Sequence, residues 1–148
     1  LFAKKPPSFS FKRNFSQKDR ELMIAAVMLY FGEGAKTGVT VDFANSDPDT
    51  VIIFWKFLSE ICQVDKKRVR LHLYAYEGQN VENLMRFWCK LLGLPKHHFI
   101  KPYIKKAATP GPRGPRMVRG LVHIRYSDTK LLRQILKWID EYRQVLTN

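Results

Sequence analysis

The chain has 148 residues, of which 45% are hydrophobic, a length and composition that suit one globular domain with a single core. Its 26 Lys and Arg against 13 Asp and Glu give a formal net charge of +13, which argues against a metabolic enzyme acting on neutral substrates. We expect a polyanionic partner instead.

The positive charge is concentrated between Glu82 and Asp128, where Lys and Arg recur and no acid occurs. An anionic membrane is the competing polyanion. No run approaches the roughly 18 apolar residues of a membrane-spanning helix, and no signal peptide is visible. We therefore expect a cytoplasmic protein associated with nucleic acid, with no membrane partner and no organic cofactor.

The first stretch, residues 1–15, holds two prolines and four basic residues without an acid, which is typical of a basic tail or linker. Residues 16–148 are expected to form the single domain. Ser16 followed by Asp19 is a capping-box pattern, and it predicts a first helix that stays apolar to Phe31 and stops at the glycines that follow.

The remaining elements follow from hydrophobic periodicity, from cap residues and from turn residues. They are a strand at 38–44, a helix at 48–62, a strand at 67–75, a helix at 81–92, strands at 98–106 and 120–127, and a helix at 131–142. The predicted order is α β α β α β β α, an α+β domain.

The polar faces of these strands are basic and aromatic, and between the last two strands lies a loop rich in Pro, Gly and Arg, residues 107–119, predicted to be mobile. Arg can pair bidentately with guanine, and Lys can contact guanine or phosphate, so the set can position and read a duplex. The alternatives are a solvated sheet face with protective edge charges and an idle loop. The candidate DNA-binding residues are Arg68, Arg70, His72, Tyr74, Lys101, Tyr103, Lys105, Lys106, Arg113, Arg116, Arg119, His123 and Arg125.

A carboxylate, Glu33, sits between Gly32 and Gly34 at the end of the first helix. A negative charge at a helix C-terminus is unfavourable by some tenths of a kcal/mol, roughly, so another interaction should favour it there. Mg²⁺ takes one or two carboxylates and keeps several waters, and one carboxylate per chain suggests that a second chain supplies its twin. The alternative is a glycine-rich turn with a solvent-facing Glu.

The stretch AVMLYFGEG, residues 26–34, resembles the LAGLIDADG motif of homing endonucleases, with Glu33 matching the acid before the final glycine. The resemblance extends loosely over residues 16–143, through the strand and helix that follow the motif. It implies an α+β domain whose motif helices pack at a two-fold axis, with a saddle of antiparallel strands in the DNA major groove. One motif per chain implies a homodimer.

The resemblance further implies a homing endonuclease: a Mg²⁺-dependent hydrolase that cuts both strands of a specific DNA site, in the service of intron or intein mobility. Glu33 and Gly32 would hold the cation, Asn45 would orient the attacking water, and Lys101 or Lys105 would support the transition state. The expected dimer interface is Leu22, Ala25, Ala26, Leu29 and Gly32.

The sequence departs from the motif at three positions. Phe31 stands where the family usually carries a second acid, and Val27 and Met28 stand where small residues usually line the helix seam. The alternative is therefore a DNA-binding regulator that reuses the fold without cleaving. RNA binding ranks behind both, because no signature of a common RNA-binding module is present.

Overall fold

The computed structural model describes residues 8–106 and 117–148. Its first helix, α1, spans Gln17–Glu33 and begins at the predicted capping box. The Ser16 hydroxyl accepts a hydrogen bond from the Asp19 backbone N–H at 3.1 Å, and the Asp19 carboxylate accepts one from the Ser16 N–H at 2.9 Å. Two of the free N–H groups at this helix end are thereby satisfied.

The other helices and strands follow the predicted order, α β α β α β β α. The second helix continues as a π-helical turn over Phe57–Ile61, and 3₁₀ turns at Lys66–Arg68 and Lys96–His98 precede the second and third strands. The remaining elements are β1 (Val41–Asn45), α2 (Pro48–Lys56), β2 (Arg70–Tyr76), α3 (Val81–Leu92), β3 (Tyr103–Lys105), β4 (Leu121–Tyr126) and α4 (Thr129–Thr147).

The four strands form one sheet in the order β1-β4-β2-β3, and it is mixed, so the prediction of an antiparallel sheet is wrong at one edge. β4 pairs antiparallel with both β1 and β2, whereas β3 pairs parallel with β2, Tyr74 facing Tyr103. The reason is connectivity: the chain leaves β2, crosses over through α3 and returns in the same direction. Over residues 8–106 and 117–148 the fold is α+β, with four helices and this mixed sheet.

All four strands are shorter than the periodicity predicted, and for β2 and β3 the cause lies in the residues that precede them. β2 begins at Arg70 because the Asp65 carboxylate accepts a hydrogen bond from the Lys67 N–H at 3.1 Å and starts a 3₁₀ turn there. Ahead of β3, a 3₁₀ turn and Pro102, which has no backbone N–H, interrupt pairing, and an isolated parallel bridge joins Leu71 to Phe99. Alternation of polar and apolar residues continues through turns that are not strands.

The core lies against one face of the sheet. Phe43, Leu71 and Ile124 point from three strands into a single cluster with Tyr30 of α1 and Trp88 of α3, and all five side chains are fully buried. Side chains at the alternate strand positions take no part in this cluster, so the second face of the sheet is left for other contacts.

Residues 8–15, within the stretch that composition assigns to a tail, lie against the domain. The N–H groups of Ser10 and Lys12 donate to the carbonyls of Cys62 and Ile61 at 3.0 and 2.9 Å, where the π-helical turn ends. Phe9, Phe11 and Phe15 pack against the core. Within the described ranges, no helix has the length and apolar character to cross a lipid bilayer.

Candidate nucleic-acid interface

The face of the sheet turned away from the core, called here the open face, carries the polar and aromatic side chains of all four strands. Cross-strand pairing arranges them in rows, since Asp42 is opposite Arg125, which is opposite Arg70, and His123 is opposite His72. The residues of the open face are Asp42, Ala44, Arg70, His72, Tyr74, Tyr76, Tyr103, Lys105, Leu121, His123 and Arg125.

A polar network crosses this face from β1 to β2. The Asp42 carboxylate accepts hydrogen bonds from His123 Nδ1 at 2.8 Å and from Arg125 Nε at 3.1 Å. Burial acts to raise the pKa of Asp42, but the hydrogen bond and charge of His123 and the charge and hydrogen bond of Arg125 outweigh it, and the pKa is lowered. Asp42 is therefore held as a carboxylate between two donors.

The network continues to His72, whose Nδ1 lies 2.8 Å from Arg125 Nη1. Because a guanidinium only donates, His72 Nδ1 must accept, which assigns the proton of the neutral ring to Nε2. Burial, followed by the charges of Arg125 and His123, lowers the pKa of His72, while a hydrogen bond to the backbone of Lys101 opposes the shift. His72 is thus favoured in its neutral form.

An aromatic group adjoins the network around Tyr74. Its ring centroid lies 4.6 Å from that of His123, 4.7 Å from that of His72 and 5.2 Å from that of Tyr103. Tyr103 on the edge strand is 53% exposed. The open face therefore combines hydrogen-bonding groups with flat apolar surfaces. In a DNA groove, the first can bond to base edges and the second can contact thymine methyl groups.

Three predicted DNA contacts are engaged elsewhere. The Arg68 guanidinium lies over the ring of Tyr126, 5.2 Å from its centroid, on the core side of the sheet. Arg70 folds back to donate to the carbonyls of Lys67 and Val69 at 2.8 and 2.9 Å. Arg119 lies 4.2 Å above the ring centroid of Phe87 on α3.

The other candidate residues divide between the edge of the sheet and the loop. Lys101, Lys105 and Lys106 are exposed at or beside the edge strand β3. Arg113 and Arg116 lie outside the described residues, as does most of the loop that the sequence predicts to be mobile. The described side chains thus place the basic groups at one edge and the polar network at the centre.

The C-terminus of α1 is fixed to the edge strand β1. Gly34, the C-cap residue, forms a bridge with Phe43, and the Ala35 N–H donates to the Asp42 carbonyl at 2.9 Å. The buried Tyr30 hydroxyl donates to the Ala35 carbonyl at 2.5 Å and accepts from the Asp42 N–H at 3.2 Å. Burial raises the pKa of Tyr30 to about 12.

Glu33 ends α1 as an exposed side chain at this corner. Asn45 lies nearby on β1, two residues beyond the bridge, where its side-chain oxygen accepts from the Asp47 N–H at 2.8 Å and forms the turn that begins α2. Lys105 lies on the opposite edge strand, three strand spacings or on the order of 14 Å from β1, and Lys101 precedes that strand. One chain does not bring either lysine to Glu33.

Glu33 is one exposed carboxylate at the end of α1. Among residues 8–106 and 117–148, no three His, Cys, Asp or Glu side chains come together as a metal-binding group. A Cβ added to the neighbouring Gly32 would meet no atom within 4 Å, so the helix surface is open at that residue. One carboxylate is fewer oxygen ligands than a divalent cation takes, so a Mg²⁺ site at Glu33 would need ligands from outside the chain.

An apolar strip on α1 is also exposed. Ile24 is 43% and Phe31 40% exposed, and Ala25, Met28 and Gly32 fall on the same helix face by their spacing. Of the predicted dimer residues, Ala25 and Gly32 belong to this strip, Leu22 and Leu29 are half-buried beside it, and Ala26 is fully buried within its own chain. Met28, which the resemblance places in the helix seam, belongs to this strip, whereas Ile24 and Phe31 were not among the residues expected at a dimer interface.

Comparison of the chain with protein-family models, curated proteins and solved structures gives no significant match.

Proposed function

We propose that the chain is a site-specific, metal-dependent DNA endonuclease of the LAGLIDADG type that acts as a homodimer. The observation that carries this proposal is the open face, where all the side chains of four adjacent strands except Ala44 and Leu121 are polar, basic or aromatic, while the opposite face supplies the core. A net charge of +13 supports a polyanionic partner.

Duplex DNA is the polyanion that this face suits best. The major groove is about 12 Å wide and admits a two-stranded β-ribbon, and the central strands β2 and β4 form such a pair. They carry His72, Tyr74, His123 and Arg125 toward the groove floor. Lys105 on β3 lies to one side, where the phosphates of the groove wall would run.

The exposed strip of α1 supports the second part of the proposal, the homodimer. Ala25 and Gly32 are small enough for two copies of α1 to approach closely, and Ile24 and Phe31 would lose water on contact. Glu33 follows Gly32 directly, so a two-fold axis near that end of the strip brings the two carboxylates together beneath the DNA. Cleavage of both strands then requires no second active site within one chain.

The residues at this corner have proposed roles in hydrolysis. The paired Glu33 carboxylates would hold the cation, and Asn45, fixed in the turn after β1, would orient a water against the phosphate. Lys101 and Lys105, exposed near the opposite edge, would contact the DNA backbone. Mg²⁺, when bound, supplies charge neutralisation at the scissile phosphate and lowers the pKa of a bound water.

The test begins with selection of bound duplexes from a random-sequence library, after which the enriched site is cloned into a supercoiled plasmid. With Mg²⁺ the native chain should linearise this plasmid, and Glu33→Gln should abolish cleavage while binding the site with unchanged affinity. Glu141→Gln, the same change at an exposed position on α4, is the matched control and should cut normally.

One observation favours a second candidate, the regulator that binds without cutting. Phe31 occupies the position of the second acid and lies in the apolar strip, so Glu33 is the single acid of that motif. Tight, specific binding with no cleavage by the native chain under Mg²⁺ or Mn²⁺ would favour the regulator. Absence of duplex binding, or preference for single-stranded RNA, would contradict both candidates.

A further inference from the structure

Asp42 is an unexpected residue on a surface proposed to meet DNA. Among the described strands it is the one acid of the open face, and phosphate groups would repel it. Its side chain is 24% exposed, so it is neither removed into the core nor free in solvent. The hydrogen bonds of Asp42 to His123 and Arg125 give a reason for an acid at this position.

Both carboxylate oxygens of Asp42 are occupied by side chains of β4 on the same face of the sheet, His123, which is 16% exposed, and Arg125, which is 27% exposed. Oδ1 lies 2.8 Å from His123 Nδ1 and Oδ2 lies 3.1 Å from Arg125 Nε. A carboxylate only accepts, so the His123 proton is fixed on Nδ1 and its Nε2 is left to interact outside the network. The position opposite His123 on β1 is Ala44, whose side chain has no polar group to bond that ring.

Arg125 is constrained at one further atom. Nη1 lies 2.8 Å from His72 Nδ1, which holds the plane of the guanidinium across β4 and β2. The Nη2 N–H groups remain the least engaged edge: His123 Nδ1 lies 3.5 Å away, but it carries the proton that it donates to Asp42 and so cannot accept. A fixed planar group with a free donor edge loses little freedom when it binds a base.

We propose that Asp42 is a positioning residue that sets the tautomer of His123 and the orientation of Arg125, and that these two side chains determine which base pairs the open face selects. This inference rests on the proposed DNA binding and adds to it the residue that controls specificity. Asp42 itself touches no DNA.

The experiment compares the affinity for an enriched duplex with that for a shuffled duplex of the same composition. Asp42→Asn removes a negative charge from the face, so binding to the shuffled duplex should stay equal or strengthen. The ratio of the two affinities should nevertheless fall roughly tenfold, the order expected when one bidentate base contact is loosened. These two effects have opposite signs, and a simple loss of folding cannot produce both.

Asp140→Asn on α4 is the matched control, because Asp140 also pairs with an arginine, Arg143 at 3.0 Å, but on the helix layer. It should leave the ratio unchanged. A DNA-free measurement completes the test: ¹⁵N shifts of the His123 ring at pH 8 should report the Nδ1–H tautomer in the native chain and a mixture in Asp42→Asn.

Two results would overturn the inference: an unchanged affinity ratio in Asp42→Asn, or a parallel decrease of both affinities. If Asp42→Asn does not fold, Arg125→Lys keeps the charge, removes the fixed planar fork and should reduce the same ratio; an unchanged ratio there also overturns it. If the native chain shows no preference among duplexes, the proposed function fails instead, before any variant is made.

Discussion

Gly34 is required by a side chain of the helix that it ends. Its backbone, at φ −86° and ψ 156°, is open to any residue, but a Cβ there would lie 2.4 Å from the Tyr30 ring. That ring is fully buried, and its hydroxyl forms hydrogen bonds with the Ala35 carbonyl after α1 and with the Asp42 N–H on β1. The position of Glu33 therefore depends on a contact between Gly34 and Tyr30.

Gly34→Ala should destabilise the protein by about 1–3 kcal/mol, the usual cost of forcing an extra carbon into a packed site. Urea denaturation followed by circular dichroism measures the change. Gly32→Ala adds the same methyl group two residues earlier, where no atom lies within 4 Å, and is the control. Equal stability of the two variants would show that the ring of Tyr30 moves freely.

His72 makes stability depend on pH in a direction that its surroundings fix. Its pKa is lowered in the folded chain, so the folded state binds fewer protons than the unfolded state below about pH 6.5. The contribution of His72 to the free energy of unfolding should therefore be full above that pH and be lost below it. Over a series from pH 7.5 to 5.5, the stability should fall at the acidic end. Part of this decrease should disappear in His72→Gln, as measured by the midpoint of thermal unfolding at each pH.

The comparison isolates His72 because the other three histidines remain in both proteins. Arg125 and His123, the charged and titratable neighbours that lower the pKa, are also unchanged. Parallel pH profiles of the two proteins would contradict the prediction and would mean that the proton uptake occurs elsewhere.

At the scale of elements, α1 serves two surfaces. Ala26, Val27 and Tyr30 are fully buried against the chain's own core, while the strip from Ile24 to Gly32 remains exposed. A helix that is apolar on every side is usually covered on every side. The second surface is therefore expected to be covered by another copy of α1.

Gly32→Ala separates these two surfaces. In the isolated chain it should raise the helix stability by up to about 1 kcal/mol, because Ala is the better helix former. In the homodimer the added methyl group should separate the two helices and raise the dimer dissociation constant, on the order of tenfold. Sedimentation equilibrium over a range of concentrations measures the constant, and a dimer unaffected by the change would exclude close packing at this strip.

Local signals predicted the elements that depend on local contacts. Ser16 and Asp19 predicted the start of α1, and cap residues predicted the bounds of α3, which the structure caps with Asn80 and Gly93, because caps act within a few residues. The parallel pairing of β3 depends on the path of α3, which no local pattern contains. Arg68 continued the alternation of β2 but lies in a turn, so periodicity alone misplaced it.

The candidate site was predictable in type and not in arrangement. Alternation on the strands indicated the polar face of His72, Tyr74, His123 and Arg125, since it follows from a period of two. The hydrogen bond between Asp42 and Arg125 could not be predicted, because the two residues lie 83 positions apart and their contact depends on the register of β1 against β4. Hydrogen bonding between distant strands is invisible to a pattern within either one.

At the scale of the whole molecule, the charge must be distributed unevenly if one face binds DNA. The open face and its β3 edge carry exposed lysines, but α4 on the helix layer also exposes Lys137. A net charge of +13 alone does not distinguish the two sides. If DNA binding depended only on the overall charge, removal of one lysine from either side would lower the affinity equally.

Lys105→Ala should therefore weaken binding to every duplex alike and reduce the salt dependence by about one counterion, because a phosphate contact carries no sequence information. Lys137→Ala makes the identical change on α4 and should leave affinity and slope nearly unaltered. Fluorescence anisotropy with a labelled duplex at several salt concentrations measures both quantities. If Lys137→Ala lowers the affinity and the slope as much as Lys105→Ala, DNA contacts the helix layer. The open face would then be a solvated sheet surface, and the arrangement of two α1 helices beneath the duplex would have to be abandoned.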